Sequence, residues 1–249
     1  MNNIYKAPEA PLTNGDGQGP HGSLEKAVAG DYELSIGAII NEAWERTKGN
    51  KATIWLALIL YTLALVALMF VAGKISGYDP YQIEHDNFSL GAYGLYQLIV
   101  TVGAAPLATG LIMLGIKLVR SEPAAPTEVF AHFNKFLPLV VANLLITLLV
   151  YAGLFLLVLP GIYLAVAYMM ALPLIADRGL GIWQAMEISR RAITTHWFAF
   201  FGLGIVLCLL ILAASIPLLL GLIWVLPLAM LAMGIAYRNM FGGAEQTDT

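Results

Sequence analysis

Four long uncharged apolar runs dominate the chain, at residues 52–72, 95–116, 137–176 and 197–237. The first two, of 21 and 22 residues, each match one bilayer crossing, since a helix rises about 1.5 Å per residue through a hydrocarbon core of about 30 Å. The last two, of 40 and 41 residues, are twice as long as one crossing needs, so each must turn and cross again. Pro160-Gly161 mark one turn, and Pro217 with Gly221 mark the other. The pattern predicts an all-α polytopic membrane protein. Six transmembrane helices form three hairpins, at about 52–72, 95–116, 137–159, 162–176, 197–216 and 218–237. The fourth span is short and is expected to borrow polar residues at its ends or to sit in thinned bilayer.

Polar positions between the runs add three amphipathic stretches, one before each hairpin. Ile36, Ile39, Ile40, Ala43 and Trp44 follow helical spacing, as do Val129, Phe130, Phe133, Phe136 and Leu137, with Thr127 as N-cap. Ile182, Ala185, Met186, Ser189 and Ile193 form the third, with Gln184, Glu187, Arg190, Arg191 and Thr194 opposite. Helices of this kind lie in the membrane interface, and all three are expected there on the cytoplasmic side. Glu42, Glu128 and Glu187 precede Arg46, His132 and Arg191 by four residues, the favourable order for a helical ion pair. An internal threefold repeat of interfacial helix plus hairpin is therefore expected.

Outside these segments, residues 1–32 read as a disordered cytoplasmic tail, with Pro8, Pro11 and Pro20 alternating with Gly15, Gly17, Gly19 and Gly22. Residues 33–240 form the membrane domain and 241–249 a second cytoplasmic tail. No basic-then-apolar leader precedes Ala52, so insertion through the first membrane helix is expected. Twelve of the 13 Lys and Arg residues fall on one side of the six-span threading, with Lys74 alone on the other. This asymmetry places both termini in the cytoplasm and exposes a loop with Glu84, His85 and Asp86 outside.

Composition narrows the chemistry. Apolar residues make up 59% and charged residues 12% of the chain, about half the charge of a soluble domain. This excludes a soluble enzyme, a nucleic-acid binder and a disordered chain. The apolar runs hold no ionisable residue that would mark an ion path. Their polar groups, Gln97, Thr101, Thr109, Asn143, Thr147 and Ser215, suit hydrogen bonds between helices. Pro106, Pro138, Pro173 and Pro227 are read as kinks within or at the ends of spans. His21, His85, His132 and His196 lack metal-binding spacing, the single Cys208 precludes a disulfide within the chain, and no nucleotide or hydrolase motif occurs. No cofactor is expected.

The segment Leu159-Pro-Gly-Ile-Tyr-Leu164, followed by Ala171-Leu-Pro-Leu-Ile-Ala-Asp-Arg-Gly179 and Gly181-Ile-Trp-Gln-Ala-Met-Glu-Ile-Ser-Arg-Arg191, carries a resemblance. It resembles the uncharacterised bacterial inner-membrane proteins of the YciC-like type, and the related membrane domain fused to some glycerophosphodiester phosphodiesterases. The likeness covers about residues 159–200, and in general layout 33–240. It implies a six-helix inner-membrane protein, whereas the phosphodiesterase barrel and its acidic metal ligands have no counterpart here.

These readings converge on a membrane protein without a catalytic site, expected to act as an envelope scaffold or accessory protein. The alternative is a transporter or permeation path for a neutral or lipophilic solute, using proline-broken helices. Asp177, Arg178, Glu187, Arg190 and Arg191 are the expected lipid- or partner-facing residues, with Ile182, Met186 and Ile193 entering the acyl boundary. Membrane lipids and other membrane proteins are the expected partners.

Overall fold

A computed structural model of the chain describes residues 22–79 and 89–242. The expected outer group Glu84-His85-Asp86, most of the N-terminal tail and residues 243–249 lie outside these. The described residues are helical, with no strand among them. The helices are α1 (Leu24–Ala29), α2 (Ile36–Ser76), α3 (Leu90–Val119), α4 (Phe136–Leu156), α5 (Val158–Ala167), α6 (Ala171–Arg178), α7 (Ile182–Thr195), α8 (Trp197–Ser215) and α9 (Leu222–Phe241). A 3-10 segment, Pro126–Lys135, precedes α4. Six helical stretches are long and apolar enough to cross a membrane: Ile36–Ser76, Leu90–Val119, Pro126–Leu156, Val158–Arg178, Trp197–Ser215 and Leu222–Phe241.

Serine side chains start the first three helices. Ser23, Ser35 and Ser89 each accept a hydrogen bond from the backbone N–H three residues on, satisfying a donor that has no partner within the helix. Prolines start three more. Pro138, Pro160 and Pro173 are each the third residue of a helix, where the missing N–H costs nothing. Pro138 and Pro173 are therefore helix starts rather than kinks, and the α4–α5 turn falls at the extended Leu157, ahead of Pro160-Gly161. Pro106 and Pro227 do lie inside helices, α3 and α9.

At the centre of the bundle, α3 and α9 approach through glycines. A Cβ on Gly234 would lie 2.8 Å from the Gly115 carbonyl oxygen, and one on Gly115 would lie 3.0 Å from the Met230 oxygen. Gly153 and Gly161 allow similar contact between α4 and α5. The core around this contact includes Ile39, Ile54, Ile116, Leu174, Leu231, Tyr237 and Phe241.

Several expectations are revised. The first amphipathic stretch is not a separate helix: α2 runs unbroken for 41 residues from Ile36 to Ser76. The second is wound as a 3-10 segment opened by Pro126, with Ala125 at its cap and no bond from Thr127. Only the third is a separate α-helix, so the preludes to the hairpins are not copies of one unit. The first and third stretches turn core residues inward, Ile39 with Ala43 and Met186 with Ile193, whereas the second buries only Val129 of its apolar face and leaves Phe130, Phe133, Phe136 and Leu137 exposed. Met186 and Ile193 therefore do not enter an acyl boundary. Part of the expected N-terminal tail is also folded, since α1 buries Ala27 and is followed by the buried Tyr32.

The fourth span is interrupted at residues 168–170, between α5 and α6. A helix break frees backbone groups that lipid cannot satisfy, so a side chain must do so. Ser189 of α7 fills that role: its Oγ donates to the Ala167 carbonyl at 2.7 Å and accepts from the Met170 N–H at 3.2 Å. One helical turn further along, the Thr194 hydroxyl lies 2.8 Å from that of Tyr163. α7 thus folds back antiparallel to α6 and α5.

Candidate functional site: the charged end of the bundle

Most of the described charged residues gather at one end, where α2 and α7 begin and where α3, α6 and α9 finish. They include interior fastenings between helices and an outward-facing charged group on α7.

The innermost fastening centres on Asp177, at the end of α6. Its carboxylate accepts two parallel hydrogen bonds from Arg120, at 2.8 and 2.9 Å, and a third from the Tyr237 hydroxyl at 2.9 Å. The Nε of Arg178 lies 3.2 Å from the same carboxylate. Arg120 also donates to the Gly242 carbonyl at 2.7 Å, and Arg178 to the Phe241 carbonyl at 2.6 Å. Those carbonyls lie at the end of α9, where cations are favoured by the helix dipole. Asp177 and Arg178 are only 5% and 9% exposed, so both are turned inward. The expectation that they face lipid or partners is corrected on that ground: Asp177 is held by Arg120 and Tyr237, and Arg178 by the end of α9. Burial disfavours the charge of Arg120, but the hydrogen bond and charge of Asp177 outweigh it and hold the guanidinium's pKa above its ordinary value.

A second fastening joins the two ends of the chain. Arg238 of α9 grips Glu42 of α2 through two hydrogen bonds, at 2.7 and 2.8 Å. Glu42 also accepts from Arg46 at 2.7 Å, the helical pair expected from their spacing. A third joins Lys117 of α3 to Glu128 at 2.6 Å, so Glu128 pairs with Lys117 where His132 was the expected partner. Lys135 donates to the Ile175 and Ala176 carbonyls near the end of α6, at 3.2 and 2.6 Å.

On α7, Glu187 accepts from Arg190 at 3.0 and 2.8 Å and from Arg191 at 2.6 Å. These bonds, Arg190 first, hold its carboxyl at about 2, and Glu187 in turn raises the pKa of Arg190. Trp183 is 73% exposed beside them. A shallow groove runs here, lined by Val28, Ile182, Trp183, Gln184, Glu187 and Arg191. The buried Tyr32 fastens the foot of α1 beneath: its hydroxyl donates to the Ala192 carbonyl at 2.7 Å, and its ring meets His196 edge-on at 4.7 Å. Burial pushes the Tyr32 hydroxyl up to about 12. His196 in turn lies 2.9 Å from the Gly30 carbonyl.

The structure therefore separates the expected site residues. Glu187, Arg190 and Arg191 share one helix face, whereas Asp177 and Arg178 belong to the interior. His196 is engaged with Tyr32 and Gly30, not gathered with Asp177 and Glu187. Among the described residues no group of three His, Cys, Asp or Glu is placed to hold a metal ion. Sequence reasoning missed Arg120, Tyr237 and Arg238 as partners of Asp177 and Glu42, because pairs 57, 60 and 196 residues apart leave no mark in local spacing. Ser189 was legible only as part of an apolar face.

Fold and site together define a helical integral membrane protein with six candidate spans, fastened by ion pairs at one end. Comparison of the chain with protein-family models, curated proteins and solved structures finds no match.

Proposed function

We propose that the protein is a non-enzymatic scaffold or accessory protein of a bacterial inner membrane. Its charged end and both termini lie in the cytoplasm, and the outer face of α7 meets anionic headgroups and other membrane proteins. One observation carries this reading. Glu42, Lys117, Arg120, Asp177, Arg178 and Arg238 fasten one element to another, whereas α7 pairs its charges among themselves and leaves Trp183, Gln184 and Arg191 exposed beside a groove. Two arginines sharing one glutamate leave that face net positive, and a basic residue near an anionic leaflet contributes about 1 kcal/mol. The resemblance to YciC-like proteins and the asymmetry of Lys and Arg support the location. For the alternative, a permeation path, the break in the fourth span is the natural opening, and Ser189 occupies it.

The test places a photo-crosslinking residue at position 183 or 191 in the full chain in native membranes, with position 63 on the exposed face of α2 as reference. Discrete lipid or protein adducts are expected at 183 and 191, weakened by Arg190→Gln with Arg191→Gln. Adducts no different from those at position 63, and unchanged in the double variant, would refute the proposal.

A further inference from the structure

The hairpin α8–α9 is long enough to cross a bilayer, yet its contacts set it at an unexpected height. The Trp55 indole donates to the Ile223 carbonyl at 3.1 Å, and Lys51 Nζ lies 5.3 Å from the Trp224 ring centre. The start of α9 therefore sits beside residues 51–55 of α2. At its other end, α9 meets Glu42 through Arg238. α2 continues without interruption to Ser76, beyond which comes the loop joining it to α3.

These contacts give a ruler along α2. From Glu42 to Trp55 the helix rises about 20 Å, and from Trp55 to Ser76 a further 31 Å or so. The whole distance, at the usual tilt of about 20°, comes to about 48 Å, close to the roughly 40–45 Å thickness of a bilayer with its headgroups. With Glu42 and Arg238 at one headgroup layer, the end of α2 at Ser76 reaches the other, and the start of α9, level with Lys51 and Trp55, stops within the near leaflet. Even at a tilt of 40°, about 24 Å separates the level of Trp55 from that of Ser76.

The tip of α8–α9 is built for such a place. Residues 216–220 are Ile, Pro, Leu, Leu and Leu, with Ile216 84% and Leu218 87% exposed. Its backbone N–H groups, that of Gly221 aside, are also paired within the turn. The N–H groups of Ile216, Leu218, Leu219, Leu220, Leu222, Ile223 and Trp224 all donate to carbonyls of the turn or its flanking helix ends. Pro217 has no N–H to satisfy. Irregular backbone facing hydrocarbon needs such pairing far more than a turn in water does. By contrast, the loop after Ser76 begins Gly77-Tyr78-Asp79.

We infer that α8–α9 is a re-entrant hairpin whose tip, residues 216–221, lies among the acyl chains and does not reach the opposite headgroups. It enters and leaves at the charged end, so its ends keep the same side and the distribution of Lys and Arg is unaffected. The acyl chains are its partner, and the exposed leucines displace them from one leaflet.

Cysteine accessibility tests this in the full chain with Cys208→Ala, in sealed native membrane vesicles of both orientations. Asp79→Cys is expected to react with a membrane-impermeant maleimide from one face only. Leu218→Cys is expected to react at least tenfold less from either face, until detergent dissolves the membrane. A nitroxide at position 218 should collide with oxygen in preference to a soluble nickel chelate. Labelling of Leu218→Cys comparable to that of Asp79→Cys, from either face, would overturn the inference. As a second readout, Leu219→Arg is expected to lower the folded, inserted protein at least tenfold, and Glu45→Arg, at an exposed position of α2, to leave it unchanged. Equal accumulation of the two variants would overturn it as well.

Discussion

Removing Asp177 should loosen three helices at once. Its carboxylate holds Arg120 at the end of α3, Tyr237 on α9 and Arg178 beside it, and both Asp177 and Arg120 are about 95% buried at their side chains. A buried ion pair contributes little against a well-packed apolar pair, but breaking one side strands the other charge, at a cost of about 3–5 kcal/mol. Asp177→Asn keeps the shape and leaves Arg120 uncompensated. Equilibrium unfolding in mild detergent should therefore shift by about that amount, or roughly 100- to 4,000-fold in the equilibrium constant. Arg120→Met should cost a similar amount by stranding the carboxylate. Tyr237→Phe removes one hydrogen bond to a charged group and should cost about 1.5–3 kcal/mol. The double variant Arg120→Met with Asp177→Leu should recover most of the loss, since neither charge then remains buried. If each single change costs under 1 kcal/mol, or the double variant loses the sum of both, the fastening is not what holds this end together.

Ser189→Ala leaves the Ala167 carbonyl and Met170 N–H without their side-chain partner, and should cost about 1–3 kcal/mol in the same unfolding assay; no change would mean that the break in the fourth span is satisfied without α7. Gly234→Ala places a methyl group 2.8 Å from the Gly115 carbonyl and should destabilise by about 1–3 kcal/mol, whereas Gly37→Ala, with open space around it, should be neutral or slightly stabilising. The Glu187 carboxyl, depressed to about 2, favours the folded α7 above the ordinary carboxyl range and loses that contribution as pH falls through about 2. A carboxyl resonance assigned to Glu187 should therefore stay ionised at pH 3.5 and titrate near the ordinary value in Arg190→Gln with Arg191→Gln. Reporter fusions after residues 85, 125, 185 and 245 should read outside, inside, inside and inside; a cytoplasmic signal at 85 would reverse the threading, because it puts the side with a single lysine on the positive face.

The candidate spans were legible because a membrane helix is a local object. Its signal is a run of apolar residues of bilayer length, and each such run in this chain became helix. The starts of α1, α2 and α3 are local too, each at a serine. What the runs do not encode is what an apolar face touches. Ile39, Val129 and Met186 have the spacing of residues that sit in lipid, but they are buried in protein, and both environments reward the same pattern. Prolines were ambiguous for a related reason. Pro138 and Pro173 end a preceding helix or begin the next one with the same residue type, and only the helix boundaries decide between them.

The charged residues show the limit most sharply. Read along the chain, Asp177, Arg178, Arg190 and Arg191 form one polar patch near the end of a span. Folded, they part because α7 turns back at Gly179, whose φ of 63° lies in the left-handed region that glycine adopts without strain. That reversal sends α7 along α6, buries Ser189 against the break and leaves Arg191 outside. Asp177 and Arg178 remain at the end of α6, where the ends of α3 and α9 converge on them. The same two arginine types thus serve different ends: Arg178 faces carbonyls of α9, and Arg191 shares Glu187 with Arg190 at the surface. Charge counted along the sequence can set which side of the membrane a segment occupies, because insertion responds to the sum. Which of those charges is left to meet a lipid or a partner depends on a single turn, and the glycine at its start is the residue that allows it.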